Sequence, residues 1–242
     1  MNIKILHFYP DLMSLYGSYA NVSIVRRTLE QMGNSITVER VLPGAPADLS
    51  DADLLFMGAG TEHAQKAALT DFLRFAPAIK EAQERGTVML FAGNSMELLG
   101  RSITDRDGTV YEALGLAPFT SVQGSERYVE DVYAHTDLYE DAVVGFMNKC
   151  SNLFGVTSPL LTSMAMGYGN EAANAPEGFH KKNLFASQLT GPILIKNPQL
   201  LKVIISAIYT NRNEEVSEIP LDAYMTRGYD ITAEQLRLRS EK

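Results

Sequence analysis

Val88-Met-Leu-Phe-Ala-Gly-Asn-Ser-Met-Glu-Leu-Leu-Gly100 is the stretch that decides the fold, because an apolar run passes through small residues into a helical pattern. The run predicts a buried strand over 87–91, followed directly by a helical turn. In an open α/β sheet such a junction lies at the carboxyl end of a strand, where ligands bind. A nucleophile at this elbow would lie beside a helix N-terminus, which lowers a thiol pKa and offers amides to an oxyanion. The junction therefore suits acyl transfer, and the alternative is that 93–95 only cap a helix.

The residues before this elbow predict a parallel sheet. Strand-like segments lie at 3–8, 35–41 and 53–57, and apolar residues at helical spacing occupy 21–32. Residues 61–85 are rich in Ala, Leu, Lys and Glu and are long enough for one helix or two. Connections of this length join parallel strands and cover both faces of a sheet. We therefore predict a doubly wound α/β fold, with a mostly parallel sheet flanked by helices.

The second half of the chain has a different pattern. Short β-like segments, including 127–135 and 142–148, alternate with turns that contain Gly and Asp, which predicts added antiparallel strands. Asn197-Pro198 precedes an apolar run that predicts a packed helix with Pro in its first turn. We expect one domain over 1–212 and a polar, peripheral tail over 213–242.

Composition and charge exclude several classes of function. The 242 residues include 29 acidic and 21 basic side chains, and the net charge of -8 disfavours nucleic acid and anionic membrane as partners. Cys150 is the only cysteine, so an intramolecular disulfide is impossible, and the four histidines lack metal-ligand spacing. No apolar stretch approaches the length of a membrane span, and the amino-terminal run is too short for a secretory signal. We expect a cytoplasmic protein without metal or cofactor.

The elbow resembles that of class I glutamine amidotransferases of the cobyric acid synthase type, which typically has the sequence Cys-Gly-Gly-(Tyr or Met)-Gln-x-Leu-Gly. Matching without gaps from Gly100 backwards sets Glu97 against the family's Gln and Gly93 against its catalytic Cys. The resemblance therefore implies a glutamine-hydrolysing fold that has lost its nucleophile.

Three further stretches are similar to one subgroup, the glutaminase subunit of lipid II isoglutaminyl synthase. They are residues 15–27, residues 53–65 and residues 167–185, and they extend the likeness to roughly residues 1–210. Gly58-Ala-Gly60 resembles the subgroup's Gly-Gly-Gly loop, which implies that backbone amides there help to form an oxyanion hole. The subgroup also implies an ATP-dependent, Mur-ligase-like synthase subunit as partner, and glutamine or a related amino acid as ligand.

The general base is also replaced. The family's run Thr-Tyr-Leu-His-Gly-Pro-Leu-Leu-Pro-Lys-Asn-Pro contains its base, and here 187–198 is Ser-Gln-Leu-Thr-Gly-Pro-Ile-Leu-Ile-Lys-Asn-Pro. Thr190 stands at the position of the His. A threonine hydroxyl is not a base at neutral pH, whereas an imidazole with a pKa of about 6.5 can take and return a thiol proton. Loss of both groups at separate sites indicates that glutaminase activity is absent.

The resemblance carries over to a few more positions. Arg127 matches an Arg that the family places near the substrate entrance, and its alternative is a surface arginine at a strand edge. Residues 145–149, Gly-Phe-Met-Asn-Lys, match a Gly-Phe-Glu-Asn-His stretch but have lost both its Glu and its His. Asn94 and Ser95, next to the elbow, complete the predicted binding residues together with Gly58, Gly60 and Arg127.

Three other side chains are candidates for a substitute chemistry. Ser95 offers a hydroxyl beside the elbow but has no histidine at the base position to activate it, so helix capping is its alternative role. Cys150 is in the β-rich half, where a lone cysteine is more often a small buried residue. His180 is in a loop that could approach the cleft, although a loop histidine without a partner is usually polar surface.

Three functions remain open from the sequence. The first is a subunit without glutaminase activity that serves as scaffold or regulator of a Mur-ligase-like synthase in peptidoglycan stem-peptide amidation. The second is an active amidase that uses Ser95 or another non-standard nucleophile. The third is a module that binds a small amino acid or peptide in a glycine-rich cleft.

Overall fold

The structure, a computed structural model, describes residues 1–241. In that part of the chain the strands are β1 (Asn2–Phe8), β2 (Ser35–Val41), β3 (Leu54–Met57), β4 (Val88–Ala92), β5 (Ser102–Thr104), β6 (Val110–Glu112), β7 (Thr120–Thr136), β8 (Tyr139–Phe154), β9 (Ser163–Met166), β10 (Phe179–Lys181) and β11 (Leu184–Ser187). The α-helices are α1 (Ala20–Gln31), α2 (Glu62–Phe72), α3 (Ala76–Arg85), α4 (Ile193–Lys196), α5 (Pro198–Asn211) and α6 (Ala223–Ser240).

The first sheet confirms the predicted doubly wound α/β fold. Its order is β10-β11-β4-β3-β1-β2, and only the β10–β11 pair is antiparallel. Alternate residues of β4 point to opposite faces, so Val88 and Leu90 pack with α1 and α5 while Met89 and Phe91 pack with α2 and α3. Because both faces are covered, every residue of β3 and β4 is buried, as in other parallel sheets.

The second half adds the expected antiparallel strands, in a longer form than the sequence predicts. β7 and β8 form a hairpin, and β5, β6 and β9 extend it into a second sheet. The expected short segment 127–135 is part of a strand that begins at Thr120, because the turn-like residues Gly124 and Ser125 lie in an irregularity of the register rather than at a strand end. β7 therefore bends there and continues.

Residues 61–85 form two α-helices, α2 and α3, where the sequence predicted either one helix or two. Thr61 caps the first of them, since its hydroxyl accepts from the Ala64 amide at 3.1 Å. A short 3-10 turn, Leu73–Phe75, separates α2 from α3, and Pro77 lies in the first turn of α3. Proline is favoured at this position because its missing N–H has no partner in a helix anyway.

The elbow lies at the carboxyl end of β4, between β3 and β11 near the centre of the sheet. The expected helical turn follows as a 3-10 segment, Gly93–Leu99. Gly93 has a φ of 69°, in the left-handed region that glycine adopts without steric cost. This conformation turns the chain sharply and carries Asn94 to the edge of the sheet where the carboxyl ends of the strands meet.

The expected polar tail contains an ordered helix. After α5, residues 214–222 have no regular structure, and α6 then packs against β7, β8 and β9. Met225 and Leu236 are buried there, and the Tyr229 hydroxyl donates to the Ala142 carbonyl at 2.8 Å. Within residues 1–241, no helix has both the length and the apolar character that a membrane crossing requires.

Candidate functional site

A cleft of about 280 Å³ lies where the carboxyl ends of the parallel strands face the β7–β8 hairpin. It is lined by the turn before α1, the loop after β3, the elbow, and the middle of the hairpin. The lining residues are Leu15, Tyr16, Ala59, Gly60, Thr61, Glu62, Asn94, Glu97, Gln123, Arg127, Asn148, Lys149, Cys150 and Thr190. The fold thus brings together the elbow, the loop of residues 58–60, which we call the oxyanion-type loop, and Thr190 at the position of the family base.

Gly93 is not part of the cleft lining but packs directly against Ala59, which is. A Cβ atom at Gly93 would lie 2.5 Å from the Cβ of Ala59 and 3.2 Å from its Cα. Carbon atoms in contact prefer about 3.5–4.0 Å, so the two methyl-sized groups cannot coexist without a shift of the backbone. Ala59 stands where the family's loop has a glycine, and its methyl group fills the place of a nucleophile's Cβ.

The amides of the oxyanion-type loop already have acceptors within the chain. The Gly60 N–H donates to Oδ1 of Asn94 at 2.9 Å, and Nδ2 of Asn94 donates back to the Gly60 carbonyl at 2.9 Å. The Ala59 N–H donates to Oγ of Ser18 at 3.3 Å. An oxyanion held in this loop would have to displace these side chains.

Gly58 has a packing role in the same loop. A Cβ at this residue would lie 2.5 Å from the Cβ of Ser18 and 2.6 Å from the Met13 carbonyl oxygen. Only glycine lets the loop lie this close to the turn before α1. Gly58 therefore positions the loop from behind and is not part of the cleft lining.

Thr190 lines the cleft but its hydroxyl is already engaged. The hydroxyl donates to the Phe146 carbonyl at 3.1 Å, and the Thr190 amide donates to the same oxygen at 2.8 Å. Both bonds attach this residue to β8. The side chain thus contributes neither a base nor a free donor at the family's base position.

Ser95 is turned away from the cleft. Its side chain is fully buried, and its hydroxyl donates to the carbonyls of Met57 at 2.9 Å and Ala92 at 3.0 Å. The expected capping role is wrong, because the hydroxyl bonds carbonyls rather than the free amides of a helix start. Ser95 instead ties the elbow to the end of β3.

Arg127 takes part in a chain of polar side chains at the cleft. It pairs with Glu62 and donates from Nη1 to Oδ1 of Asn148 at 2.9 Å, and Asn148 in turn donates to the Tyr16 hydroxyl at 2.7 Å. Burial acts to raise the pKa of Glu62, but the hydrogen bonds from Arg127, the Glu62 amide and Cys150, together with the charge of Arg127, outweigh it and hold the pKa below its ordinary value. The guanidinium is thus held by partners within the chain rather than free at a strand edge.

Cys150 lines the cleft, which the sequence did not predict. Its Sγ lies 3.4 Å from Oε1 of Glu62, and burial raises the pKa of the thiol to about 11, helped by that carboxylate. A protonated thiol is a poor nucleophile at neutral pH. The one available signal was its place directly after the Gly145–Lys149 stretch that resembles the family.

His180 lies outside the cleft. It is part of β10, at the edge of the first sheet, and its ring stacks on Phe185 with centroids 4.8 Å apart. Burial lowers the pKa of the imidazole. The structure therefore does not bring it to the elbow as a base.

A buried polar network connects two positions where this chain departs from the family. Nζ of Lys149 donates to the Gly169 carbonyl at 2.5 Å and to Oε1 of Gln188 at 2.6 Å. Gln188 donates to Oγ of Ser151 at 3.0 Å, and Ser151 donates to Oε1 of Glu97 at 2.5 Å. The family's neutral Gln and His are thus replaced by a carboxylate and an ammonium that share one network.

The electrostatics of this network favour a structural role. Lys149 is 4% exposed and Glu97 is 2% exposed, so neither charge is well hydrated. Burial lowers the pKa of Lys149 to about 8, against the attraction of Glu177 and Glu97. Two opposite charges buried in one network offset part of each other's desolvation cost, whereas either charge alone would not.

The arrangement offers binding groups without a catalytic pair. No cleft side chain described by the structure combines an activated nucleophile with a base in contact with it. Within residues 1–241, no group of three His, Cys, Asp or Glu side chains is placed to hold a metal ion. The cleft can hold a small polar molecule, but we find no side-chain route to acyl transfer in it.

Solved structures with the same fold include a glutamine amidotransferase. The chain is similar to PurLQS from Thermotoga maritima, with a TM-score of 0.52, 14% identity, and 87% of this chain and 97% of that chain covered. Another solved structure, a glutamine amidotransferase, has a TM-score of 0.51 and 13% identity, with 84% of this chain and 98% of that chain covered. At such identities the likeness shows the class I glutamine amidotransferase fold and no more.

Sequence similarity defines the family. Residues 4–198 match the CobB/CobQ-like glutamine amidotransferase domain, and the chain belongs to this family. It is 28% identical over 206 residues to the lipid II isoglutaminyl synthase (glutamine-hydrolyzing) subunit GatD of Staphylococcus aureus (strain N315), covering 84% of this chain and 83% of that protein. GatD of Streptococcus pneumoniae (strain ATCC BAA-255 / R6) is 28% identical over 225 residues, with 90% and 85% covered.

Proposed function

We propose that this chain is a glutamine-amidotransferase-like subunit without glutaminase activity, which acts as scaffold or regulator of a Mur-ligase-like, ATP-dependent synthase subunit. The observation that carries the proposal is the contact between Gly93 and Ala59, where a methyl group takes the space of the family nucleophile. A site that has only lost its cysteine would retain that space. Here the space itself is filled.

Two more observations support the loss of chemistry. The amides of Ala59 and Gly60 are occupied by Ser18 and Asn94, and Thr190 is bonded to the β8 backbone. The occupied amides remove oxyanion stabilisation, and the bonded Thr190 removes general base catalysis. These are separate contributions to glutamine hydrolysis. The family framework around the cleft is nevertheless retained over residues 4–198.

The relatives suggest the biological setting. GatD is named as a subunit of lipid II isoglutaminyl synthase, so we place this chain in peptidoglycan stem-peptide amidation, as a heterodimer in the cytoplasm. In this proposal the synthase subunit activates the peptide carboxylate with ATP. Ammonia reaches it as free ammonium or from another source, not from glutamine hydrolysed by this chain.

Glutamate release in the presence of the synthase subunit tests the proposal. The chain would be co-expressed with a Mur-ligase-like protein encoded by an adjacent gene, and the purified pair assayed with a lipid II analogue and ATP. We expect a stable complex and amidation with ammonium chloride but none with glutamine. GatD of S. aureus, assayed with its own synthase subunit, is the positive control, and glutamate formation by this chain at a comparable rate would refute the proposal.

A second function, binding of a small amino acid without chemistry, is favoured by the polar lining of the cleft. Arg127, Asn148 and Gln123 supply donors and acceptors around a volume suited to a few heavy atoms. Calorimetric titration with glutamine and D-isoglutamine would test it, with Arg127→Gln as the site variant and the exposed Arg26→Gln as its matched control. Absence of heat with both ligands would remove this function from consideration.

The active-amidase alternative has little support in the site. Ser95 Oγ is buried and engaged by two carbonyls, so it has neither access to the cleft nor a base. We expect Ser95→Ala to leave glutamate release at background. A Ser95-dependent turnover in the assay above would restore this alternative.

A further inference from the structure

A second cavity, of about 640 Å³, is larger than the cleft and shares no lining residue with it. It is an open groove formed by α3, by residues 114–116, and by the end of β10 with the turn after it. We name it the lysine groove after Lys80, Lys181 and Lys182 in its lining. Its walls come from three separate segments of the chain, so it is a product of the fold and not of one loop.

The lysine groove is positively charged in an otherwise acidic protein. In the part of the chain that the structure describes, none of Lys80, Lys181 and Lys182 has an ion-pair partner within 4.0 Å. Glu84 is the only acidic residue in the lining. Three ammonium groups against one carboxylate leave a local positive charge, while the whole chain carries -8. Such a local reversal of sign attracts anions.

A fourth donor in the wall lacks an acceptor. Nε2 of Gln83 is buried, and no hydrogen-bond partner for it lies among residues 1–241. Gln83 lies in the lining of the lysine groove. A buried amide donor without a partner is unusual and costs free energy unless a ligand or water satisfies it. Nε2 is shielded from the groove as it stands, and a rotation of the Gln83 side chain towards the groove would let it donate to an acceptor-rich ligand there.

The turn between β10 and β11 fixes the backbone of Lys182 in the lining of the lysine groove. This residue is the first of a two-residue turn between β10 and β11 and has a φ of 54°. Glycine or asparagine adopts that conformation at lower cost than lysine. The turn sets this conformation, because two-residue hairpin turns have a positive φ at their first residue.

The remaining lining indicates the size and character of the ligand. Pro77, Leu114 and Leu116 give the groove an apolar wall, and the first turn of α3 lies in the lining with its partial positive charge. We propose that the lysine groove binds an organic phosphate with at least two negative charges, with its phosphate oxygens on the lysines and on Gln83 and its organic part against the apolar wall. This site is independent of the proposed function.

Calorimetric titration of the full-length chain with ADP tests the proposal, with inorganic pyrophosphate and adenosine as partial ligands. We expect saturable binding of ADP, weaker binding of pyrophosphate, and none of adenosine. Binding should weaken as salt is raised, because lysine–phosphate attraction at a surface is screened. Pyrophosphate bound as tightly as ADP would overturn the role of the apolar wall.

Two triple variants are compared. The site variant combines Lys80→Gln, Lys181→Gln and Lys182→Gln. The control has the same charge change outside the groove and combines Lys196→Gln, Lys202→Gln and Arg227→Gln. The first should weaken ADP binding at least about tenfold, and the control should change it less than about twofold. Gln83→Leu, which leaves charge and fold intact, should weaken binding as well. No saturable binding of ADP, or equal weakening in both triple variants, would refute a specific site.

Discussion

The methyl group of Ala59 leaves no room for a side chain at position 93. This clash is measurable as a coupling free energy between the two positions. Gly93→Ala places two Cβ atoms 2.5 Å apart and also strains a left-handed backbone, so we expect it to destabilise the fold by roughly 2–4 kcal/mol. In the Ala59→Gly background the Cβ–Cβ contact is gone and only the 3.2 Å contact with Cα of residue 59 remains, so the cost should fall to about 1–2 kcal/mol. Urea unfolding of the four variants measures the difference.

Gly108→Ala is the matched control for that cycle. Gly108 has a φ of 88° and nothing within 4 Å of a Cβ built on it, so the substitution reports the backbone cost alone. We expect it to resemble Gly93→Ala in the Ala59→Gly background. Equal costs of Gly93→Ala with and without the Ala59 methyl would show that the loop yields and that Ala59 does not fill the site.

Restoring glutaminase chemistry requires three substitutions rather than two. Gly93→Cys with Thr190→His returns the nucleophile and base, but the Cβ of the new cysteine would still meet Ala59. We expect this double variant to be inactive and the triple variant with Ala59→Gly to release glutamate slowly, because Ser18 and Asn94 still occupy the loop amides. Mass spectrometry after iodoacetamide treatment would show whether position 93 is alkylated in each. Glutamate release by the double variant would contradict the inference that Ala59 fills the space of the nucleophile.

The buried charges of Glu97 and Lys149 should depend on each other. Lys149→Met leaves the Gln188 amide oxygen and the Glu97 carboxylate without their cation, and we expect a destabilisation of about 3 kcal/mol. In a Glu97→Gln background the same change no longer leaves a charge at residue 97 unpaired, although Glu177 still loses its cation, so the cost should be smaller by roughly 1 kcal/mol. The cycle is measured by urea unfolding at pH 7. Strict additivity of the two variants would show that the network carries no charge coupling.

At the scale of single elements, β1 carries a histidine that makes the fold sensitive to acid. His7 is 5% exposed, its Nε2 has no partner in residues 1–241, and burial lowers its pKa to about 4. Arg40 adds to this lowering and Asp11 opposes it. The unfolded chain takes up this proton near pH 6.5 and the folded chain only near pH 4, so His7 lowers stability as pH falls between these values.

His7→Leu should therefore flatten the pH dependence of stability in this window. The loss attributable to His7 between pH 6.5 and pH 4 is about 3 kcal/mol at most, since one pKa unit corresponds to about 1.4 kcal/mol. Urea unfolding of the wild type and the variant at several pH values gives the difference. His63→Leu, at an exposed position, is the control. Parallel profiles for wild type and His7→Leu would contradict the assignment.

Four strands of the first sheet, β1 to β4, could be predicted from the sequence because their signals are local, whereas β10 and β11 were not predicted. An uninterrupted apolar run, as in β4, indicates a strand buried on both faces, and Asn197-Pro198 marks the start of α5. The elbow could be predicted as a turn but not as a 3-10 segment, because its form depends on the packing of Gly93 against Ala59. The continuity of β7 was missed for a related reason, since its pairing with β8 is interrupted after Gln123 and resumes at Tyr128.

The cleft could be predicted only in part. The resemblance located Gly60, Asn94, Arg127 and Thr190, which all line it. It could not show that Asn94 occupies the Gly60 amide, because this bond joins residues 34 apart through the arrangement of two strands. Cys150 and Glu62 were missed as partners for the same reason. Contacts between sheet and hairpin arise from the tertiary fold, which a local pattern does not determine.

At the scale of the whole molecule, α6 lies against the β7–β8 hairpin and connects the end of the chain with both halves of the fold. Met225 and Leu236 are buried, and Arg239 pairs with Asp131 at 2.6 Å. Almost all other residues of the two hydrophobic cores precede residue 212. We therefore propose that 1–212 folds on its own and that α6 adds stability to it.

A chain that ends at Arg212 should unfold cooperatively at a lower temperature. Burial of Met225 and Leu236 contributes roughly 2–4 kcal/mol together, and the surface ion pairs of α6 add less than about 1 kcal/mol each. For a domain of this size about 1 kcal/mol lowers Tm by about 2–4 °C, so we expect a decrease of roughly 5–15 °C in thermal unfolding.

Point variants test whether the buried side chains of α6, rather than the added chain length, account for the difference in Tm. Met225→Ala with Leu236→Ala keeps the chain length and should reproduce most of the decrease in Tm, whereas Tyr224→Ala with Leu238→Ala changes exposed residues of the same helix and should leave Tm within about 2 °C. If the buried and exposed pairs behave alike, α6 does not pack on the hairpin in solution. If the truncated chain does not fold at all, α6 belongs to the domain, and the boundary at residue 212 has to be moved to the end of this helix.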